Sequence, residues 1–309
     1  MNGVLIIDKP AGLTSHDVVN RVRRILGQRS VGHLGTLDPS ATGVLPLVLG
    51  SLTRLAQFYT ASDKTYEGVI RFGFATDTYD ADGEPTTPAQ SVSLTLSQMQ
   101  DLADQFRRVS EQMPPPFSAK KIQGVPAYKL ARKKKEVELH PVKVEIKTFD
   151  IVHVDSDRAH FRAYVASGTY MRSVAHDMGR QLGCGAHLES LRRTSVAEFT
   201  LEDAHTLEEL AEAAGKSSAG KSPNLGGLEE ISFHPRKLLP QFPAIAADEP
   251  TAALIRSGRP VNLPELSRAR QVKVFYGQRD LIAIATRIAG TLFHPKIVFS
   301  GSDIAVRRT

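Results

Sequence analysis

What the sequence does not contain narrows its reading first. It has a single cysteine, Cys184, which excludes an internal disulfide framework and a multi-thiolate zinc site. No apolar run approaches the length needed to cross a bilayer. The opening MNGVLIIDKPAG has no basic leader and meets Asp8 after a short apolar run. That predicts no signal peptide and a cytoplasmic protein. A phosphate-cradling G-x-x-x-x-G-K-[ST] loop is missing, since neither Gly32 nor Gly35 leads into the Lys-Ser/Thr ending, and so is the dinucleotide fingerprint G-x-G-x-x-G. Without a G-x-S-x-G elbow, the adjacency of Ser173, His176 and Asp177 does not make a hydrolase triad. No internal repeat stands out.

What is present is moderately basic. The 309 residues carry 39 Lys and Arg against 33 Asp and Glu, a net charge of +6, which favours a polyanionic partner without requiring one. GVLIIDKPAG reads as a buried strand closed by a turn. TSHDVVNRVRRILG reads as a helix capped by Ser15, with Val18, Val19, Val22, Ile25 and Leu26 on its apolar face and Gly27 ending it. Residues 44–50 form a buried segment, residues 66–74 a strand, and residues 94–110 a helix. A pair of strands around 150–165 precedes a helix faced by Met171, Val174, Ala175, Met178 and Leu182. LRRTSVAEFTL follows as a returning strand. Residues 211–230 are rich in Gly, Ser, Lys and Ala and read as a flexible linker or insertion. Residues 243–309 hold short strand-like runs of a small β-rich module. Strands and helices mix without regular βαβ alternation, so the fold class expected is α+β.

The stretch VGHLGTLDPSATGVL, residues 31–45, places one acid, Asp38, among glycines just before an apolar run. Such a loop lets backbone approach something bulky. Taken alone, Asp38-Pro39 is a turn-former on the surface. TDTYDADGEP looks at first like a calcium loop, but Ala89 stands where the bidentate glutamate belongs, so it reads as a turn. Metal and cofactor are not expected.

Four long motifs occur in order: GHLGTLDPSATGVL, DKTYEGVIRFGFATDTYDADG, PPPFSAKKIQGVPAYKLAR and SGTYMRSVAHDMGRQLGCGAHLESLRRTSVAEF. Together with DKPAGLTSHDVV, they resemble the TruB family of bacterial tRNA pseudouridine synthases over roughly residues 3–210, with a weaker echo from 235 onward. The resemblance implies a pseudouridine-synthase-type catalytic domain around a mixed, largely antiparallel sheet, in residues 1–240. It also implies an RNA-binding insert at 118–146 and a PUA-like RNA-binding module at 243–309. The implied activity is isomerisation of uridine 55 in the T-loop of tRNA, on a base flipped from its stack.

By that resemblance Asp38 is the catalytic carboxylate, Arg172 its guanidinium partner and Tyr66 the active-site tyrosine. Breaking the N1–C1′ bond builds positive character at C1′, which a carboxylate stabilises or traps. A second acid activating water would be harmful, since water capture leaves an abasic site. Attack on C1′, attack on C6 and removal of the C2′ proton are all compatible with one carboxylate. Leu191 is implied in the uracil pocket, and His33 with Gly32 and Gly35 in contact with the rearranged RNA loop. Lys9 is assigned a substrate-side or structural role. Lys120, Lys121, Arg132, Lys133, Lys134, Arg192 and Arg193 are candidates for the RNA backbone. Leu34 and Ala166 depart from the family pattern, which commonly has a hydroxyl residue and a cysteine there. The expected partner is the tRNA T-arm, met by a monomer without guide RNA or membrane. A non-catalytic tRNA-binding or folding protein is the rival reading.

Overall fold

The computed structural model describes residues 1–116, 121–122, 125–126, 140–215, 225–265 and 267–299. The first strand, β1 (Gly3–Lys9), is followed by helix α1 (Ser15–Leu26), β2 (Val31–His33), β3 (Thr42–Leu49) and β4 (Lys64–Phe72). Then come α2 (Leu96–Phe106), β5 (Val109–Gln112), β6 (Val142–Asp155), β7 (Arg158–Val165), α3 (Met171–Gln181) and β8 (Ala186–Val196). The main sheet runs β1-β3-β8-β4-β7-β6-β5, with β2 added alongside β3. Its pairings are antiparallel except β3 with β8, where Arg192 and Arg193 lie opposite Thr42 and Gly43. A mixed, largely antiparallel α+β sheet is therefore the observed architecture.

The helices cover one face. Val18, Val19, Val22 and Leu26 of α1 and Met171, Val174, Ala175 and Met178 of α3 join Tyr66, Ile70, Phe161 and Val165 in one core. Strand alternation explains this face, because residues two apart point the same way. Leu182 is not part of it: α3 stops at Gln181 and Leu182 is exposed. Nor does Ser15 cap α1. Thr14 is the cap, accepting from the Asp17 amide while Asp17 accepts back from Thr14. Ser15 instead turns inward, donating to the Leu37 carbonyl and accepting from the Leu37 amide at 2.8 Å. A short hydroxyl thereby ties the helix start to the loop that carries Asp38.

The expected linker at 211–230 is partly helical. Residues Leu207–Ala213 and Leu225–Glu230 form helices, and Leu228 is fully buried; residues 216–224 lie outside the described residues. The C-terminal strands, from Ala244–Ala247 to Leu292–Val298, make a separate five-stranded sheet. It has its own core around Ile255, Val272, Val274 and Ile282. A second apolar cluster joins Phe275, Ile284, Ile297 and Phe299 to Val4, Ile6, Val44 and Val48 of the main sheet. The module thus seats on the β1–β3 end of the sheet face opposite the helices.

Candidate active site

A cavity of about 400 Å³ opens where the β2–β3 loop, β4, β8 and the start of α3 converge. Asp38, Tyr66, Arg172, Leu191, His33 and Gly35 all line it, together with Lys64. Residues far apart in the chain meet here because β3, β8 and β4 are neighbours in the sheet.

Arg172 stands in the first turn of α3. Gln112 fixes that turn by accepting from the Tyr170 amide at 2.8 Å and donating to the Tyr170 carbonyl at 3.1 Å. The Arg172 guanidinium, only 7% exposed, grips both Asp38 oxygens: Nε to Oδ2 at 2.9 Å and Nη2 to Oδ1 at 3.2 Å. Its third nitrogen, Nη1, meets Asp80 Oδ2 at 3.3 Å. The Asp38 side chain stays 38% exposed toward the cavity. Loss of solvent around it pushes its carboxyl above the ordinary aspartate range, opposed by Arg172 and assisted by Asp80. Concave walls strip bulk water from a carboxylate even where one edge stays reachable.

Asp80 is the residue that sequence reading missed. It lies in the acidic turn that resembles a calcium loop, yet its side chain is 11% exposed and points at Arg172. Thr78 Oγ1 donates to its other oxygen at 2.6 Å, and the Asp82 amide adds a bond at 3.2 Å. Two carboxylates thus share one guanidinium whose planar fork suits bidentate contact.

Tyr66 is buried, and its hydroxyl is hydrogen-bonded to Arg193. Burial keeps the phenol protonated well past its usual range. Arg193 is placed differently from its expected RNA-backbone role. It is 0% exposed and donates to the carbonyls of Val44 at 2.8 Å, Gly35 at 3.1 Å and Thr36 at 3.3 Å. It is a brace between the Asp38 loop and Tyr66 and has no free surface for phosphate. Gly35 beside it adopts φ +128°, a backbone conformation that other residues rarely take, although an added Cβ would only reach ordinary contact with the guanidinium, at 3.5 Å. Arg192, one residue earlier, points to the opposite sheet face, where Asp8 holds it at 2.7 Å.

Two further expectations are corrected. Lys9 does not reach substrate: it is 0% exposed, donating to the carbonyls of Ala41 at 2.6 Å, Pro10 at 2.8 Å and Pro39 at 3.0 Å. It ties the stretch just after Asp38, at Pro39 and Ala41, to the end of β1. Gly32 pairs with Val48 inside the sheet and does not line the cavity. His33 does line it, and desolvation followed by the nearby Arg193 charge lowers its pKa, keeping the ring neutral at neutral pH. Leu34 fills an apolar cluster with Val44 and Leu52, so the missing hydroxyl is replaced by packing. Lys120, Arg132, Lys133 and Lys134 lie outside the described residues. Lys121 falls in a short strand, Lys121–Ile122, paired with Val125–Pro126.

Fold and site together define a sheet-based enzyme of the pseudouridine synthase class, and comparison with known proteins agrees. Residues 23–171 match the model of the TruB family pseudouridylate synthase N-terminal domain, and residues 172–226 match the tRNA pseudouridylate synthase B C-terminal domain. The chain is 48% identical to the tRNA pseudouridine synthase B of Solibacter usitatus, over 96% of this chain and all of that protein. It is 37% identical to the namesake in Geobacter sulfurreducens, over 94% and 95%. Its fold is shared with a solved Cbf5-Nop10-Gar1 complex: TM-score 0.69, 23% identity, covering 97% of this chain and 86% of that one. The chain belongs to the TruB family of pseudouridylate synthases.

Proposed function

We propose that this protein converts uridine to pseudouridine in tRNA, at position 55 of the T-loop, with Asp38 as the catalytic carboxylate. The observation that carries the assignment is an ionisable carboxylate, clamped by Arg172 and still open to a nucleoside-sized cavity floored by Leu191 and Tyr66. The reaction breaks N1–C1′, turns the base, and forms C5–C1′; the C5 proton leaves and N1 gains one. Atoms balance within the substrate, so no co-reactant is needed. Each route open to the carboxylate requires it ionised, and Arg172 supplies a positive charge that opposes the effect of desolvation. Tyr66 offers a ring for stacking on the uracil, and its hydroxyl is steadied by Arg193.

The base must leave its stack to enter, at a cost of roughly a few kcal/mol. Two relatives named for tRNA pseudouridine synthesis support tRNA as the substrate. Among the described residues no helix is long and apolar enough to cross a membrane, and we place the enzyme in the cytoplasm as a monomer acting without guide RNA. The C-terminal sheet is read as a PUA-like module that adds RNA contact. The residues of the 118–146 segment are assigned to the RNA backbone on their charge.

The test is Asp38→Asn, assayed by tritium release from a C5-labelled tRNA transcript. Turnover should vanish while tRNA affinity stays within about tenfold, because the amide keeps the shape but not the charge. Retained turnover would refute the carboxylate assignment. A wild-type protein that binds tRNA without releasing tritium would establish the non-catalytic reading instead.

A further inference from the structure

Cations around the cavity differ in how they are answered. Arg172 is neutralised by Asp38 and Asp80. Arg193 is wrapped by three carbonyl oxygens and the Tyr66 hydroxyl. Lys64 also lines the cavity, yet among the described residues its hydrogen-bond partner is a single carbonyl, that of Ser62, at 2.6 Å. Its chain neighbour Asp63 does not pair with it. Asp63 is engaged by Lys147 at 2.6 Å and by the Tyr164 hydroxyl at 2.7 Å.

We propose that Lys64 binds a phosphodiester of the flipped nucleotide, anchoring the sugar-phosphate at the mouth while the base enters beside Tyr66. The inference rests on the reading of the cavity as the uridine site and extends it to a contact that fixes the nucleotide's backbone. Its geometry follows from β4. Lys64 and Tyr66 are two residues apart on one strand, so they face the same way at a separation of about 7 Å. Both side chains line the same cavity, so a nucleotide whose base lies beside Tyr66 has Lys64 on the same wall. The lysine stem packs against Gly35, where an added Cβ would lie 3.7 Å from its ε-carbon. The ε-carbon therefore lies beside the loop that presents Asp38, while Ser62 holds the ammonium.

Electrostatics favours an anionic ligand. An ammonium has three donors, and Ser62 takes one, leaving two for oxygens from outside. Desolvation, and then the nearby Arg193 charge, lower the Lys64 pKa to about 8 against the opposing charge of Asp63. A half-buried cation in that state gains from a phosphate, whose charge replaces the solvation lost to the cavity walls. The carbonyl of Ser62 fixes its direction without cancelling its charge.

The experiment uses the full-length protein and T-arm stem-loops with the phosphodiester 5′ or 3′ of the target uridine replaced, in turn, by an uncharged methylphosphonate. Pseudouridine formation by wild type on the unmodified stem-loop is the control; its absence would refute the uridine-site reading rather than this contact. On unmodified RNA, Lys64→Gln should raise KM about tenfold or more with kcat within about threefold, as expected for a lost bond to a charged group. Lys64→Arg should restore most of the affinity. On one of the two neutral substrates, wild type and Lys64→Gln should have equal KM, because the partner charge is already gone. Lys64→Met, of similar length, serves as a second variant should the glutamine destabilise the strand. A KM within twofold of wild type for Lys64→Gln and Lys64→Met overturns the proposal. So does an undiminished penalty on both neutral substrates.

Discussion

Arg172 and Asp38 lie 134 residues apart in sequence and meet through two parallel contacts, at 2.9 and 3.2 Å. The pair is asymmetric in exposure. The guanidinium is sealed under the α3 start, while the carboxylate keeps an edge toward the cavity. Such an arrangement holds the acid's orientation from behind and leaves its reactive side free.

Replacing Arg172 by lysine tests the fork itself. An ammonium keeps the charge but cannot hold both Asp38 oxygens and Asp80 together. With at least one bond to a charged group lost, at about 1.5–3 kcal/mol, kcat should fall about 100-fold. Affinity for tRNA should stay within about threefold, since the guanidinium is nearly buried and engaged by Asp38 and Asp80. Single-turnover assays beside filter binding separate the two; parallel losses in both would show that the fork serves binding and not orientation.

Asp80→Asn removes the second carboxylate and leaves a near-isosteric amide. Asp80 raises the Asp38 pKa and takes part of the Arg172 charge. Without it, Asp38 should ionise at lower pH, so the acidic limb of the kcat/KM profile moves down. Activity at neutral pH should nonetheless drop about tenfold, because Arg172 loses one of its two anchors. An acidic limb that stays in place, or moves up, would contradict a role through Asp38.

Lys9→Met tests the brace beneath the loop. The Lys9 pKa is lowered to about 8, desolvation being the first cause, with Asp38 and Asp17 opposing it and Arg193 adding to it. Between pH 8 and 10.5 the unfolded chain holds this proton while the folded chain releases it, so folding stability rises with pH over that window. Below pH 8 both states are protonated and the slope from this group vanishes. The wild type should therefore gain on Lys9→Met by roughly 2–3 kcal/mol at most between pH 8 and 10.5, as measured by urea denaturation. A stability difference constant across that range would show that Lys9 keeps its ordinary pKa in the fold.

Much of the candidate site was legible before any fold was known, because the ordered motifs resemble those of the TruB family. That resemblance singles out Asp38, Tyr66 and Arg172, each of which alone reads as an ordinary turn or packing residue, and all three line one cavity. Reading failed where direction mattered. Arg192 and Arg193 are neighbours in the chain and equally basic, yet one pairs with Asp8 on the outer face and the other is sealed inside. Strand alternation already sets them on opposite faces; only the sheet says which face holds the cavity. Ser15 reads by type as a helix cap, and Lys9 as either a substrate-side or a structural residue. Burial turns both toward the backbone of the Asp38 loop.

The sequence by itself determined most element types, the net positive charge and, through motifs that resemble the TruB family, the candidate groups Asp38, Tyr66 and Arg172. These depend on local periodicity, composition and motif order, which a linear string records. Tertiary structure alone decided that Asp80 shares Arg172 with Asp38, that Arg193 steadies Tyr66, and that Lys64 lines the cavity with its ammonium on the Ser62 carbonyl. Charge pairing and desolvation depend on distances between segments far apart in the chain, and those distances exist only once the strands have taken their places in the sheet.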